Sequence, residues 1–369
     1  MAKTNFAALT DEQLTVWQRR VWRAARHRMF INKFVGTDEN AMIHRITELT
    51  KSDKGARAVL TLVTDLQGDG VAGDRFLEGN EEAMLSSDQV IRIDQLRHAV
   101  RSKGRMADQR SVVRFRENAN NGLSYWLADR HDQMAFLTLS GVSFALNTDG
   151  SPRSASDLPL LDYADDVTAP SANRHYRWDG TNGDFVTPDT GNIAAADTPS
   201  YEMFIRARAL LDNNFIRPLR TVDGVEWFNV FMTPDAIAEL KMDENFMKAW
   251  REAQPRSPDH PMFKGTNVIY IDGFAIHSYK HVFNTRGMTA GNKWGGSGTQ
   301  EGCRVLFCGA QALGMADIGA PRWVEKPFDY DNQPGISLGK ISGLLKPKFF
   351  SIYNQSVEDY GVTCVDVAV

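Results

Sequence analysis

The sequence predicts an α+β fold, and three observations predict it. From Met106 to Gly141, apolar residues (Val113, Ala119, Leu123, Trp126/Leu127, Met134, Leu137) recur at steps of three and four, the period of a long amphipathic helix. On both sides of that stretch lie strand-like runs that pair across turns: Ala58 to Thr64 with Val90 to Ile93, and Val268 to Ile271 with Phe274 to His277. Strands and helices do not alternate regularly, so a doubly wound parallel sheet is not indicated.

In chain order, Thr10-Asp11-Glu12-Gln13 reads as a capping box. The helix it opens carries Leu14, Trp17, Val21, Ala25 and Met29 on one face and Arg19, Arg20, Arg23 and Arg26 on the other. Residues Phe34 to Lys54 are polar and mixed and end in a turn at Lys51 to Gly55. The Ala58 to Thr64 strand and the Val90 to Ile93 strand then form a hairpin with a long, charged, glycine-rich tip, GDGVAGDRFLEGNEEAML. A hairpin of that length has little core of its own and is stable only against neighbours. The long helix follows, with Asp108 as expected N-cap and Gly141 as its stop. Asn147 to Ser200, rich in Gly, Pro, Asp, Ser and Thr, reads as a surface excursion with short strands at best. Tyr201 to Asn213 returns to helix, Trp227 to Met232 to strand, and Thr233-Pro234 caps a helix running to about Trp250. Asp272-Gly273 makes a tight hairpin turn. Gly287 to Gly302 is a glycine-rich loop, Arg304 to Cys308 a strand, Ala310 to Ile318 a helix, and Lys348 to Tyr353 and Tyr360 to Val369 are strands.

The totals bound the function. The chain has 369 residues, 42% hydrophobic, enough for a sizeable core. A formal net charge of -4 gives no global signature of a nucleic-acid or membrane binder. No apolar run approaches the length of a membrane span, and MAKTNFAALTDEQ does not have the pattern of a signal peptide. Cys303, Cys308 and Cys364 are odd in number and wrongly spaced for a disulfide framework or a zinc pair, which fits a reducing cytoplasm.

Candidate chemistry is sparse. Gly68-x-Gly70-x-x-Gly73 follows a strand and matches the dinucleotide fingerprint, the basis of an alternative reading as a dinucleotide-binding enzyme. Asp69, Asp74, Glu78, Glu81 and Glu82 crowd the place of the pyrophosphate, and Gly79 interrupts the helix the motif requires. Asp65, Asp69 and Asp74 lack EF-hand spacing. His277 and His281 stand four apart, but His277 lies in a strand, where that spacing spans about 13 Å. Neither GxSxG nor GxxxxGK[ST] occurs. A monomeric nucleic-acid binder using Arg19 to Arg28 is a third reading. The residues point instead to a protein whose surface is for contact, with no catalytic residue, cofactor or metal.

The order of features resembles the major capsid proteins of the Hong Kong 97 fold, and more closely the family typified by phage N-four. Gly70 to Asp74, Leu77 to Ala83, Ile93 to Arg97, Ile271 to Gly273, Cys308 to Leu313, Phe328 to Asn332, Gly335-Ile336, Gly343 with Lys346, and Asp359 to Val362 carry the resemblance. It implies an N-terminal arm (1–55), an extended β-hairpin loop (56–105), a peripheral domain with a long spine helix (106–146 and 320–369), a surface insertion (147–200) and an axial domain (201–319). It further implies a non-enzymatic subunit assembling as pentamers and hexamers into an icosahedral shell around double-stranded DNA without sequence-specific contact. Scaffolding, portal and decoration proteins would be its partners, and its place the virion, assembled in the host cytoplasm. The expected subunit-contact residues are Trp17, Arg20, Trp22 and Arg23 on the arm. On the tip they are Asp74, Arg75, Glu78, Glu81 and Glu82, and on the polar face of the spine helix Arg116, Asp129 and Arg130, with Asp132 beside them.

Overall fold

The computed structural model describes residue 22 and residues 24–46, 57–63, 68–82, 86–110, 115–220, 224–252, 268–351 and 353–369. After helical residues 24–28, the first half runs β1 (Val35–Gly36), β2 (Ile43–Ile46), β3 (Arg57–Val63), β4 (Ser86–Arg92), β5 (Asp94–Arg101), α1 (Arg105–Arg110) and α2 (Phe115–Ser140). Next come β6 (His175–Asp179), β7 (Asp184–Val186), α3 (Tyr201–Asn213), β8 (Leu219–Arg220), β9 (Glu226–Met232), α4 (Pro234–Met242) and α5 (Glu244–Glu252). The remainder is strand: β10 (Val268–Ile271), β11 (Phe274–Ser278), β12 (Gly302–Cys308), β13 (Leu313–Asp317), β14 (Arg322–Phe328), β15 (Gln333–Leu345), β16 (Lys348–Ser351), β17 (Ser356–Asp359) and β18 (Val362–Ala368).

Two sheets organise these elements. The larger runs β10-β11-β9-β12-β18-β6-β7, with β8 on β9; the smaller runs β1-β2-β13-β15-β14, with β5 on the other side of β15. The 26-residue α2 spans about 39 Å at 1.5 Å per residue and joins two cores. Its first half sets Ala119, Leu123, Leu127 and Ala128 against Trp323, Ile336 and Leu338 of the smaller sheet and against Ala25 and Met29. Its second half sets Met134, Phe136, Leu137 and Leu139 into the main core with β9, β12 and β18. The helix is continuous through Asn120-Asn121-Gly122 and ends at Gly141, whose φ of +66° suits glycine. Thr233 caps α4, accepting from the Ala236 N–H with Pro234 at the first helical position, and Asp272 (φ +43°) and Gly273 (φ +77°) form the left-handed turn between β10 and β11.

Four expectations need correction. The helix expected over Ala310 to Ile318 is the strand β13, held between β2 (parallel) and β15 (antiparallel). Its alanines, leucine and methionine favour helix locally, but pairing on both edges prevails over that preference. The polar stretch after Phe34 contains β2, whose Ile43 and Ile46 are buried. Asp108 lies inside the short α1 rather than at a helix start. Residues 147–200 do not lie at the surface throughout. Leu158, Leu161, Tyr163, Trp178 and Ile193 enter the main core, and β6 pairs in parallel with β18.

Candidate subunit-contact surfaces

The β3–β4 hairpin packs on its own chain through one face only. Alternate side chains point to opposite faces. Ala58, Leu60 and Ile91 are buried and pack with Ile46, Ala316 and Leu345 of the smaller sheet, while Val59 and Val90 point away and are 47% and 42% exposed. Burying Leu60 and Ile91 contributes about 1.5–3 kcal/mol each. Two glycines permit the close docking. A Cβ on Gly343 would stand 2.2 Å from the Arg92 carbonyl oxygen, and one on Gly314 would meet Ile91 at 3.0 Å and Leu60 at 3.3 Å. The Gln89 amide bridges the Lys348 backbone, accepting from its N–H at 3.0 Å and donating to its carbonyl. The Arg92 guanidinium reaches Asp165 and Asp166.

Beyond this base the tip, residues 68–82, forms turns and no helix or strand. Gly70, Gly73 and Gly79 all have positive φ, and no atom lies within 4 Å of a Cβ placed on any of them. The internal ties are local: Gly68 N–H donates to Glu82 (2.6 Å), Gly79 N–H to Glu81 (2.7 Å), and Asn80 to the Phe76 and Leu77 carbonyls. Phe76 and Leu77 are 84% and 61% exposed. Asp74, Arg75, Glu78, Glu81 and Glu82 are all exposed. Among the described residues 68–82 no helix begins at the loop that matches the dinucleotide fingerprint, so these residues offer a pyrophosphate no helix N-terminus.

The spine residues face a different environment. Arg116 pairs with Glu325 at 2.7 Å, and Glu325 also accepts from the Trp323 indole. Half-exposed pairs of this kind are worth about 0.2–1 kcal/mol. Arg130 and Arg153 both donate to Gln133. Asp129 Oδ1 lies 2.7 Å from His281 Nε2, whose Nδ1 is 3.3 Å from the Thr148 hydroxyl. The hydrogen bond to His281 holds the Asp129 carboxyl below its ordinary range. The Asp129–His281–Thr148 line resembles a nucleophile–base relay, but Thr148 is buried and the line ties α2 to the loops at 148 and 281. Asp132, expected on a polar face, is buried. It accepts from the Phe30 and Ile31 backbone N–H groups (2.9 and 3.2 Å) and from the Tyr279 hydroxyl. Burial raises its pKa despite those donors. The Phe30 ring stacks on Tyr279 at 4.1 Å, so this carboxylate ties the segment at Phe30-Ile31 to α2 and to Tyr279.

Of the arm candidates, Trp22 covers the Lys340 ammonium at 3.8 Å, and Trp17, Arg20 and Arg23 lie outside the described residues. The tip candidates form one exposed cluster. The spine candidates do not join it, because each is engaged within its own chain. Sequence reasoning missed Arg97, Arg101, Arg322 and Lys326, which cross-strand pairing brings to one face of the smaller sheet. A period of two in RWVEKPF and in DQLRHAVR was the available signal.

Comparison with known proteins gives a consistent result. The sequence profile of the family described as phage capsid protein matches residues 5–369. The major capsid protein of Pseudomonas phage KPP25 is 54% identical over 367 residues, covering 99% of this chain and 97% of that protein. Among solved structures, the capsid of Ralstonia phage GP4 superposes with a TM-score of 0.74 at 26% identity, covering 92% of this chain and 90% of that one. The capsid of cyanophage Pam1 shares the fold, with a TM-score of 0.71 at 17% identity over 100% of this chain and 96% of that one.

Proposed function

The chain belongs to the family of phage capsid proteins, and from that premise we propose that its subunits, as pentamers and hexamers, close an icosahedral shell around packaged double-stranded DNA. It is a major capsid protein with the Hong Kong 97-type fold, a structural component of the virion and not an enzyme.

The β3–β4 hairpin carries the proposal. Its inner face is packed on its own sheet, while its outer face (Val59, Val90) and its tip (Phe76, Leu77) leave apolar surface in water. Surface of that kind is stable when covered, so subunit stability and assembly are linked. In this reading residues 1–55 are the arm and 56–105 the extended loop. Residues 106–146 and 320–369 make the peripheral domain around α2, and 201–319 the axial domain. Asp74, Arg75, Glu78, Glu81 and Glu82 contact a neighbouring subunit, as do Trp17, Arg20 and Arg23 of the arm. Assembly takes place in the host cytoplasm, with scaffolding, portal and decoration proteins as partners and the DNA held without sequence-specific contact.

Negative-stain electron microscopy and sedimentation of the purified protein, alone and co-expressed with the other head proteins of its phage, test this reading. Ring capsomers or closed shells are expected. A strictly monomeric protein under both conditions would overturn it.

A further inference from the structure

Residues from β14, β15 and β5 alternate between two faces of one sheet. Trp323, Ile336 and Leu338 pack against α2 on the inner face. On the outer face the register places Arg322 beside Gly339 and Gly339 beside Arg97, Val324 beside Ser337 and Ser337 beside Ala99, and Lys326 beside Gly335 and Gly335 beside Arg101. The central strand carries Gly335, Ser337 and Gly339 on this face, with the Phe328 ring lying over Gly335 and the Arg97 stem over Gly339. Strands lie about 4.8 Å apart and alternate residues about 7 Å apart along a strand. Arg97 and Arg101, like Arg322 and Lys326, are two such steps apart, so the four cations stand at the corners of a shallow trough about 10 Å by 13 Å.

Arg97, Arg101, Arg322 and Lys326 are all exposed. No carboxylate occurs at the outer-face positions of the three strands. Arg101 donates to the neutral Gln333 amide and lies over Phe328 at 4.7 Å, and Lys326 lies over the same ring at 5.2 Å. Among the described residues none of the four cations makes an ion pair.

The same chain carries the opposite surface. Residues 68–82 hold five carboxylates (Asp69, Asp74, Glu78, Glu81, Glu82) against the single guanidinium of Arg75. They stand on a glycine-jointed loop that is exposed along almost its whole length. Among the described residues Asp69, Asp74 and Glu78 make no ion pair, so the tip and the face carry opposite charge, the kind of arrangement that steers encounter and fixes register between molecules. The other exposed apolar patch near the hairpin, Phe215 stacked on Tyr353 with Phe350 and Val357, has no comparable set of cations.

We propose that the acidic tip of one subunit seats on the Arg97/Arg101/Arg322/Lys326 face of a second copy, with the tip carboxylates over the trough. This rests on the reading of the chain as a shell subunit and names the surface that receives the hairpin.

Charge reversal tests it. Asp74 and Glu78 make no hydrogen bond or ion pair among the described residues, so Asp74→Lys/Glu78→Lys changes tip charge without disturbing the loop. Arg322→Glu/Lys326→Glu changes the face at exposed positions. Each double variant is expected to keep the wild-type circular dichroism and melting temperature and to raise the critical concentration for assembly at least tenfold. The combined tip and face variant is expected to recover most of that loss. The proposal is overturned if the face variant assembles like wild type, or if the combination assembles no better than either parent while all remain folded. It is also overturned if face-reversed subunits assemble normally but their particles lose retained DNA, because the face would then serve nucleic acid. Wild-type protein that forms no shells or rings under these conditions would instead count against the shell reading itself.

Discussion

Replacing Gly343 by alanine tests how the hairpin is held. The new Cβ would stand 2.2 Å from the Arg92 carbonyl oxygen and 3.0 Å from Ile91 Cγ2, where ordinary contact begins near 3.4 Å. The Arg92 oxygen belongs to β4 backbone and cannot rotate away, so β4 must lift from β15 by about 1 Å. A gap of that size forfeits about a quarter to a half of the dispersion attraction of the atoms it separates. The atoms in question are those of Leu60 and Ile91, buried against Ile46, Ala316 and Leu345. Overpacking of this kind costs about 1–3 kcal/mol. Most of that cost falls on the hairpin, because this cluster is separate from the two cores that α2 joins. The assay is limited proteolysis within residues 68–82 alongside thermal unfolding followed by circular dichroism. Gly343→Ala should speed cleavage at the hairpin about fivefold or more, by lowering its local opening free energy, and should lower the melting temperature modestly. Cleavage and melting both equal to wild type would refute the claim that close docking at Gly343 positions the hairpin.

Gly122→Ala has the opposite sign: the site is exposed inside α2 with no atom within 4 Å of the added Cβ, so stability should rise by about 0.5–1 kcal/mol in a denaturant titration. Asp132→Asn removes the charge from the acceptor shared by Phe30, Ile31 and Tyr279 and should cost about 1–3 kcal/mol, with protease entry just before Phe30 as the early event. Asp366 receives Arg304 through two hydrogen bonds, 2.7 and 3.1 Å, and these contacts hold its carboxyl below the usual range against the effect of burial. A depressed folded-state pKa contributes stability above the unfolded value of about 3.9, lost as pH falls through the folded one. Melting temperature should therefore drop on acidification below about pH 4. Asp366→Asn, which strands a buried Arg304, should be less stable by about 3–5 kcal/mol at pH 7 and show a shallower acid limb.

The first half of the long helix was legible because Ala119, Leu123 and Leu127 are buried at the period that the sequence displays, whereas from His131 to Ser140 every residue is buried and the expected polar face is lost. The hairpin β3–β4 was legible from its β-branched, apolar runs and the β10–β11 turn from Asp272-Gly273. The failures share a cause. β13 reads as a helix until β2 and β15 flank it, β6 reads as loop until β18 lies beside it, and both arrangements join residues far apart in the chain. Asp132 looked like a surface acid because its compensating donors, Phe30, Ile31 and Tyr279, come from two distant segments. The tip was visible as a charged glycine-rich loop, whereas its proposed receptor was not. Arg97 and Arg101 meet Arg322 and Lys326 only through the register of β15.

The central claim is that this subunit completes itself on a neighbour, and a cryo-electron microscopy map of the assembled particle tests it most directly. The account predicts the tip residues Phe76 and Leu77 and the outer-face residues Val59 and Val90 buried against an adjacent subunit in every ring. A map in which the hairpin projects into solvent, touching no neighbour, would contradict it.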